Sequence, residues 1–223
     1  MVSTILSDGN LSRVSWMAVR RHVTKEAILD HAREIVATEG TPALTFQALA
    51  LRLYVSKQAI IYWFPSKQDL LKGIWVPAVR AEAEATMAAL SQAGSATEAI
   101  EHFLRSLIAH HLIDLGRFRM MYLSSQLGRA SLNISDPKVL RPIHQYSSSM
   151  YQSLESRLRA DPAFNSDLSA RRTAVAVHMA GIGLLAMIAL ADAVADPLAH
   201  PIDTLTDAMV ELLTGRAIVQ RGS

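Results

Sequence analysis

The sequence predicts an all-α protein. Half of its 223 residues are hydrophobic while only 6% are aromatic, and alanine and leucine dominate with hardly any β-branched alternation. That is a composition of helix formers, and no run competes as a strand. A second observation is the row of hydroxyl residues Thr24, Thr45, Ser56 and Ser66, each standing just ahead of a short amphipathic segment. The length is the third: it suffices for one large domain or for a small domain joined to a larger one. Cysteine is absent, so there is neither a disulfide framework nor a thiolate zinc site, and the composition is compatible with the cytoplasm.

Thr24 opens the first helix, whose Ile28, Ala32, Ile35 and Val36 form one apolar face, and Gly40 follows where a helix end calls for it. Thr45 caps a second helix with Phe46, Leu49, Ala50 and Leu53 at i, i+3, i+4 and i+7. Ser56 caps a third, in which Ile60 and Phe64 lie one turn apart. Only Tyr54 and Val55 remain for the turn between them, which is helix-turn-helix spacing. Pro65 closes the third helix. Ser66 opens a fourth, with Asp69 three residues on as a capping-box variant whose carboxylate faces the positive helix end.

From Thr24 to about Leu71 these residues resemble the TetR family of one-component transcription regulators. The string Val55-Ser56-Lys57, then Ile60, then Phe64-Pro65-Ser66-Lys67-Gln68-Asp69-Leu70-Leu71 is similar to the family's recognition-helix signature in order and in spacing. Two positions depart from it. The turn residue commonly glycine is Tyr54, and the position commonly tyrosine inside the recognition helix is Ile61. A tyrosine at positive φ is strained, so a different turn geometry is expected here. Ile61 removes one expected phosphate contact, and Tyr62 or Trp63 is left to supply a hydroxyl or an indole N–H. The resemblance implies a helix-turn-helix DNA-binding domain over residues 20–72 and a larger helical ligand-binding and dimerisation domain over residues 73–223.

The formal charge of +2 is unevenly placed: residues 1–75 carry 9 Lys and Arg against 6 Asp and Glu, a surplus of +3. A solvated surface would accommodate those numbers equally well. Arg20, Arg21, His22 and Lys25, just before the first helix, form a short basic arm of the kind that reaches phosphates or a minor groove. Residues 1–19 lack the basic start and apolar block of a secretory signal and read as a mobile extension, with Met17 an alternative start.

Beyond Ser66 the pattern stays helical to about Leu90, with Pro77 expected to end or kink the helix. Thr97 to about Leu115 forms the next helix, and Phe118 to Leu127 a short one. A loop covers Gly128 to Pro137, and a helix runs from Val139 to Arg159 with Pro142 tolerated in its first turn. The last two are expected from Ser166 to Val194 and from Ile202 to Leu213. Ala174 to Ala191 is apolar almost throughout apart from His178. It is short and alanine-rich for a membrane span, so core, subunit interface or both are the better readings. Ala176, Ala180, Gly183, Ala186, Ala189 and Ala193 are small residues at helical spacing that would let a partner helix approach closely. The resemblance implies that these last two helices join a homodimer.

Candidate DNA contacts are Lys57, Gln58, Ala59 and Tyr62 facing the groove, Thr45, Ser56 and Lys67 meeting phosphates, and Arg21 and Trp63 beside them. The homodimer is expected to read a palindromic operator. Candidate effector contacts are Phe103, Met120, Met121, Tyr122, Met150, Tyr151, His178 and Met179, though methionines at helical positions equally fill a core. His178 is either satisfied by a neighbour or fixes the polar end of a small, mostly apolar molecule. His110 and His111 lie about 100° apart on a helix, cannot share a metal from one face, and read as surface histidines. No nucleophile elbow, metalloprotease helix or phosphate loop is present and the carboxylates are scattered, so nothing supports an enzyme, a cofactor or a metal. Two functions stand: a ligand-controlled transcription regulator, acting as a repressor, or a helical small-molecule binding or scaffold protein whose reading head is disabled by Tyr54 and Ile61.

Overall fold

The computed structural model describes residues 23–123, 137–162, 167–196 and 201–215. Arg20, Arg21, His22, the expected N-terminal extension and most of the expected loop at 128–137 lie outside them. Among the described residues the only regular structure is helical. Helix α1 (Lys25–Glu39) begins where the Thr24 hydroxyl accepts from the Ala27 N–H, and stops at Gly40, whose φ of 82° suits a residue without Cβ. A single 3-10 turn, Thr41–Ala43, leads to α2 (Phe46–Leu53), which is followed by α3 (Lys57–Trp63). These pack around Ile28, Ile35, Leu44, Leu49 and Ile60, all fully buried, each burial stabilising by roughly 1.5–3 kcal/mol.

Helix α4 (Lys67–Leu90) starts at the expected capping box, with Ser66 Oγ accepting from the Asp69 N–H and Asp69 accepting from the Ser66 N–H. It does not end or break at Pro77, as expected from the missing N–H, but runs through it. The turns on either side hold it, because Leu70, Ile74, Ala78, Glu82, Thr86 and Leu90, spaced four apart, are all buried along one stripe, while the Pro77 ring faces solvent. At Gly73 an added Cβ would lie 2.8 Å from Leu29 Cδ2, so the Leu29 side chain of α1 packs directly on the α4 backbone there.

The second domain comprises α5 (Ala96–Leu112), α6 (Leu115–Phe118), a π-helical turn (Arg119–Leu123), α7 (Pro137–Leu158), α8 (Asp167–Ala193) and α9 (Ile202–Thr214). The expected helix to Leu115 ends at Leu112, because Asp114 caps a new helix by accepting from the Arg117 N–H. Phe118 closes that short helix rather than opening one. Pro137 takes the first position of α7, which leaves Pro142 in its interior instead of its first turn. Helix α4 packs most extensively on α7 and α5, so one rod carries the small domain and is gripped by the large one. Ser169–Ala193 is long and apolar enough to cross a membrane by length and composition, yet Ala174, Val177, Leu185, Ile188 and Ala189 bury one side of it within the domain.

Candidate nucleic-acid interface and sensor core

At the head, the fold brings the starts of three helices to one cleft. Thr45 Oγ1 accepts from the Ala48 N–H at 3.0 Å and Ser56 Oγ from the Ala59 N–H at 3.2 Å, so each hydroxyl satisfies one orphan donor. Leu44, Thr45, Phe46, Gln47, Lys57, Lys67 and Leu70 then line one cleft of about 290 Å³, bringing the starts of α2, α3 and α4 together. Such a convergence of N–H groups and positive helix ends suits phosphate oxygens. Gln47 belongs to this surface and was missed by the sequence reading, although its place just inside an N-cap pointed there.

The turn before α3 keeps the left-handed form. Tyr54 has φ 55° and ψ 42°, and the Val55 N–H bonds to the Ala50 carbonyl at 3.0 Å, closing α2 as a glycine would. The expected departure in turn geometry is therefore overturned: the tyrosine adopts the strained conformation, at a cost of about 1–2 kcal/mol.

On α3, Ile60 and Phe64 face inward, and Lys57, Gln58, Ile61 and Tyr62 are exposed, whereas Ala59 is half-buried. Tyr62 points outward at 79% exposure. The Trp63 indole N–H is not available for a phosphate, since it donates to the Val23 carbonyl at 3.1 Å and ties α3 to the start of α1. Lys67 is similarly engaged: its ammonium donates to the Thr41 carbonyl at 2.8 Å, and loss of water lowers its pKa. Lys25 lies 5.7 Å from the centre of the Phe64 ring.

The expected effector residues divide among three places. Phe103 and Met150 are buried in the core of the large domain, and Tyr122 and Tyr151 pack against it. Met120 is instead buried in the head's core, with Met121 packed beside it, because the π-helical turn leans on α1. Met179 is 67% exposed, so it lines no internal site of this chain. Among the interface residues, Ala176, Gly183 and Ala193 are exposed, but Ala189 is fully buried and Ala186 packs on the protomer's own core. Here the close-approach glycine is Gly181, where an added Cβ would lie 2.7 Å from Leu107 Cδ2. The open stripe of α8 is Met179, Gly183, Met187 and Leu190, with Val194 just beyond its end.

His111 corrects the reading of surface histidines, for it has no exposed surface. Glu82, buried on α4, accepts at one oxygen from Tyr122 Oη (2.7 Å) and His111 Nε2 (3.1 Å). Its other oxygen faces His178 Nε2 at 3.5 Å, a charge–dipole approach rather than a closed bond. Tyr151 Oη lies at hydrogen-bond distance, 2.6 Å, from His178 Nδ1, so that nitrogen has a hydroxyl partner, while the buried Nε2 has no hydrogen-bond partner among the described residues. Burial would raise the Glu82 pKa, but the hydrogen bond from His111, the approach of His178, the charge of His111 and the Tyr122 hydroxyl outweigh it and hold the carboxyl at about 2. Glu82 was missed in the sequence although it stands in phase with the apolar stripe of α4, and His111 likewise stands in phase with Leu104 and Leu107.

The family described as bacterial regulatory proteins, tetR family, matches residues 28–74, the head and the start of α4. Solved structures share the whole architecture. The protein SCO4313, described as regulatory, superposes with a TM-score of 0.68 at 20% identity, over 92% of this chain and 98% of that one. FadR from Bacillus subtilis, in complex with stearoyl-CoA, gives 0.66 at 15% identity, over 86% and 98%. PfmR from Thermus thermophilus gives 0.61 at 19% identity, over 86% and 96%. No curated protein sequence matches the chain.

Proposed function

We propose, from the match of residues 28–74 to the tetR family of bacterial regulatory proteins, that the chain is a homodimeric repressor released from a palindromic operator by a small, mostly apolar effector. The observation that carries the DNA half is the convergence of three capped helix N-termini around Lys57, Gln47 and Lys67. Lys57, Gln58 and Tyr62 would face the major groove, with Thr45, Ser56 and Lys67 orienting the phosphates and Arg21 reaching beside them. For Lys67 this means exchanging the Thr41 carbonyl for a phosphate. The left-handed turn at Tyr54 keeps α3 presented, which speaks against a disabled head as far as Tyr54 is concerned.

Dimerisation is supported by the open apolar stripe of α8 together with Leu212 on α9, 81% exposed. A contiguous apolar face of that extent calls for a partner helix pair, and a second copy supplies one. The proposed division between a DNA-binding part to residue 72 and a sensor part from residue 73 falls within α4, whose Leu70, Leu71, Ile74 and Trp75 pack with the head while Ala83 and Leu90 pack with the large domain. The effector would enter among α5, α7 and α8 beside Tyr151 and His178, in the cytoplasm. An acyl chain like that held by the Bacillus subtilis FadR structure is the class of ligand that Phe103 and Met150 suit.

Fluorescence anisotropy with the DNA upstream of its own gene tests this reading. Two chains should bind per site, with preference over a scrambled duplex. Met187→Glu should produce monomers in sedimentation and lower operator affinity by more than tenfold through lost bivalency. Equal binding to operator and scrambled DNA would overturn the regulator reading, and a dimeric Met187→Glu would place the interface elsewhere.

A further inference from the structure

Tyr54 is held in a backbone conformation that disfavours it, and nothing inside the chain explains why a large side chain stands there. Its φ is 55°, its side chain is 93% exposed, and among the described residues that side chain makes no hydrogen bond or ring contact. Folding alone would be served better by glycine or asparagine, which enter the left-handed region more readily.

Its position is informative. Tyr54 is two residues before Ser56, the N-cap of the recognition helix, so its Cα lies at most about 7.6 Å from that cap. Lys57 and Gln58 are exposed at the start of α3, but farther along Ile61 offers no donor and the Trp63 N–H is engaged by Val23. A phenol at the turn restores one, on a rigid side chain with few torsions to freeze. We propose that Tyr54 is a DNA-backbone contact, its hydroxyl donating to a phosphate oxygen beside the N-terminus of α3 and replacing the contact that Ile61 cannot make. A hydroxyl donating to an anionic oxygen forms a charge-assisted bond, which orients the head on the duplex and carries no sequence information. This rests on the reading of the head as a binder of duplex DNA.

The test compares the full chain with Tyr54→Phe and Tyr54→Gly on two duplexes, the upstream DNA and a random-sequence duplex of equal length at low salt, with thermal melting in parallel. Tyr54→Phe should weaken binding to both by about fivefold at unchanged melting temperature. Tyr54→Gly should weaken both at least as much while melting at the same or a higher temperature, because the left-handed turn no longer carries a Cβ. Unchanged affinity of Tyr54→Phe overturns the proposal. So does a loss confined to one duplex, which makes Tyr54 a reader of bases, and so does a Tyr54→Gly variant that melts well below the parent, which makes the ring structural. If the parent chain binds neither duplex, the DNA reading falls and the contact with it; if the parent binds and the variants match it, only the contact falls.

Discussion

The head and the sensor domain solve the same packing problem with different materials. The head's core is Ile28, Ile35, Leu44, Leu49, Ile60, Leu70 and their neighbours, and among the described residues it encloses no ionisable group. The sensor's core surrounds a carboxylate, Glu82, to which α5, the π-helical turn and α8 each present a polar group. An apolar core tolerates many arrangements of similar energy, whereas a buried carboxylate is satisfied only when its particular partners are in place. In the regulator proposed above, the head would move as a rigid reading unit, while the large domain, tied to the partners of Glu82, would have the small number of allowed arrangements that such a switch needs.

The sharpest way to break this contrast is Glu82→Ala. It leaves Tyr122, His111 and His178 facing an empty site in the core and should destabilise the sensor by about 3–5 kcal/mol. Thermal unfolding followed by far-ultraviolet circular dichroism should show the loss, and a change under about 1 kcal/mol would make the network incidental. Acid gives a somewhat smaller effect. Because the folded carboxyl titrates at about 2, below its unfolded value, its stabilisation is complete above about pH 4.5 and is lost as pH falls from there towards 2. The amount is on the order of 3 kcal/mol, and a circular-dichroism titration should lose this acid limb in Glu82→Gln. The smallest of the three is Met120→Ala, expected to cost about 2–3 kcal/mol through a cavity in the head, though the residue belongs to the sensor by sequence. Proteolysis that finds the head unaffected by this change would remove Met120 from its core.

What was legible followed from local rules. The four hydroxyl caps and the capping box at Ser66 announced α1 to α4 because a cap is written in the residues that make it. The left-handed turn at Tyr54 was missed because the bonds closing α2 and the packing of α3 outweigh a local preference of about 1–2 kcal/mol. Pro77 misled for the same reason, since burial along six positions of α4 exceeds the loss of one hydrogen bond. His110 and His111 look alike in sequence, yet α5 turns only one inward. The small-residue pattern of α8 could not say which alanines face the chain's own core, because alanine fits both sides of a helix; the exposed methionines settle the face.

The π-helical turn Arg119–Leu123 sits where these two cores touch. Met120 enters the head, Tyr122 reaches Glu82, and Arg119 bonds the Ala189 carbonyl and pairs with Asp192 on α8. Five residues thus hold phase with three bodies at once, like a cam keyed to three shafts. Their wider turn is what sets the angular offset between Met120 and Tyr122. Were one residue removed so that the segment wound as an ordinary α-helix, those two side chains could no longer be in mesh together. The length of this segment is therefore as much a part of the coupling between the two cores as the chemistry of its residues.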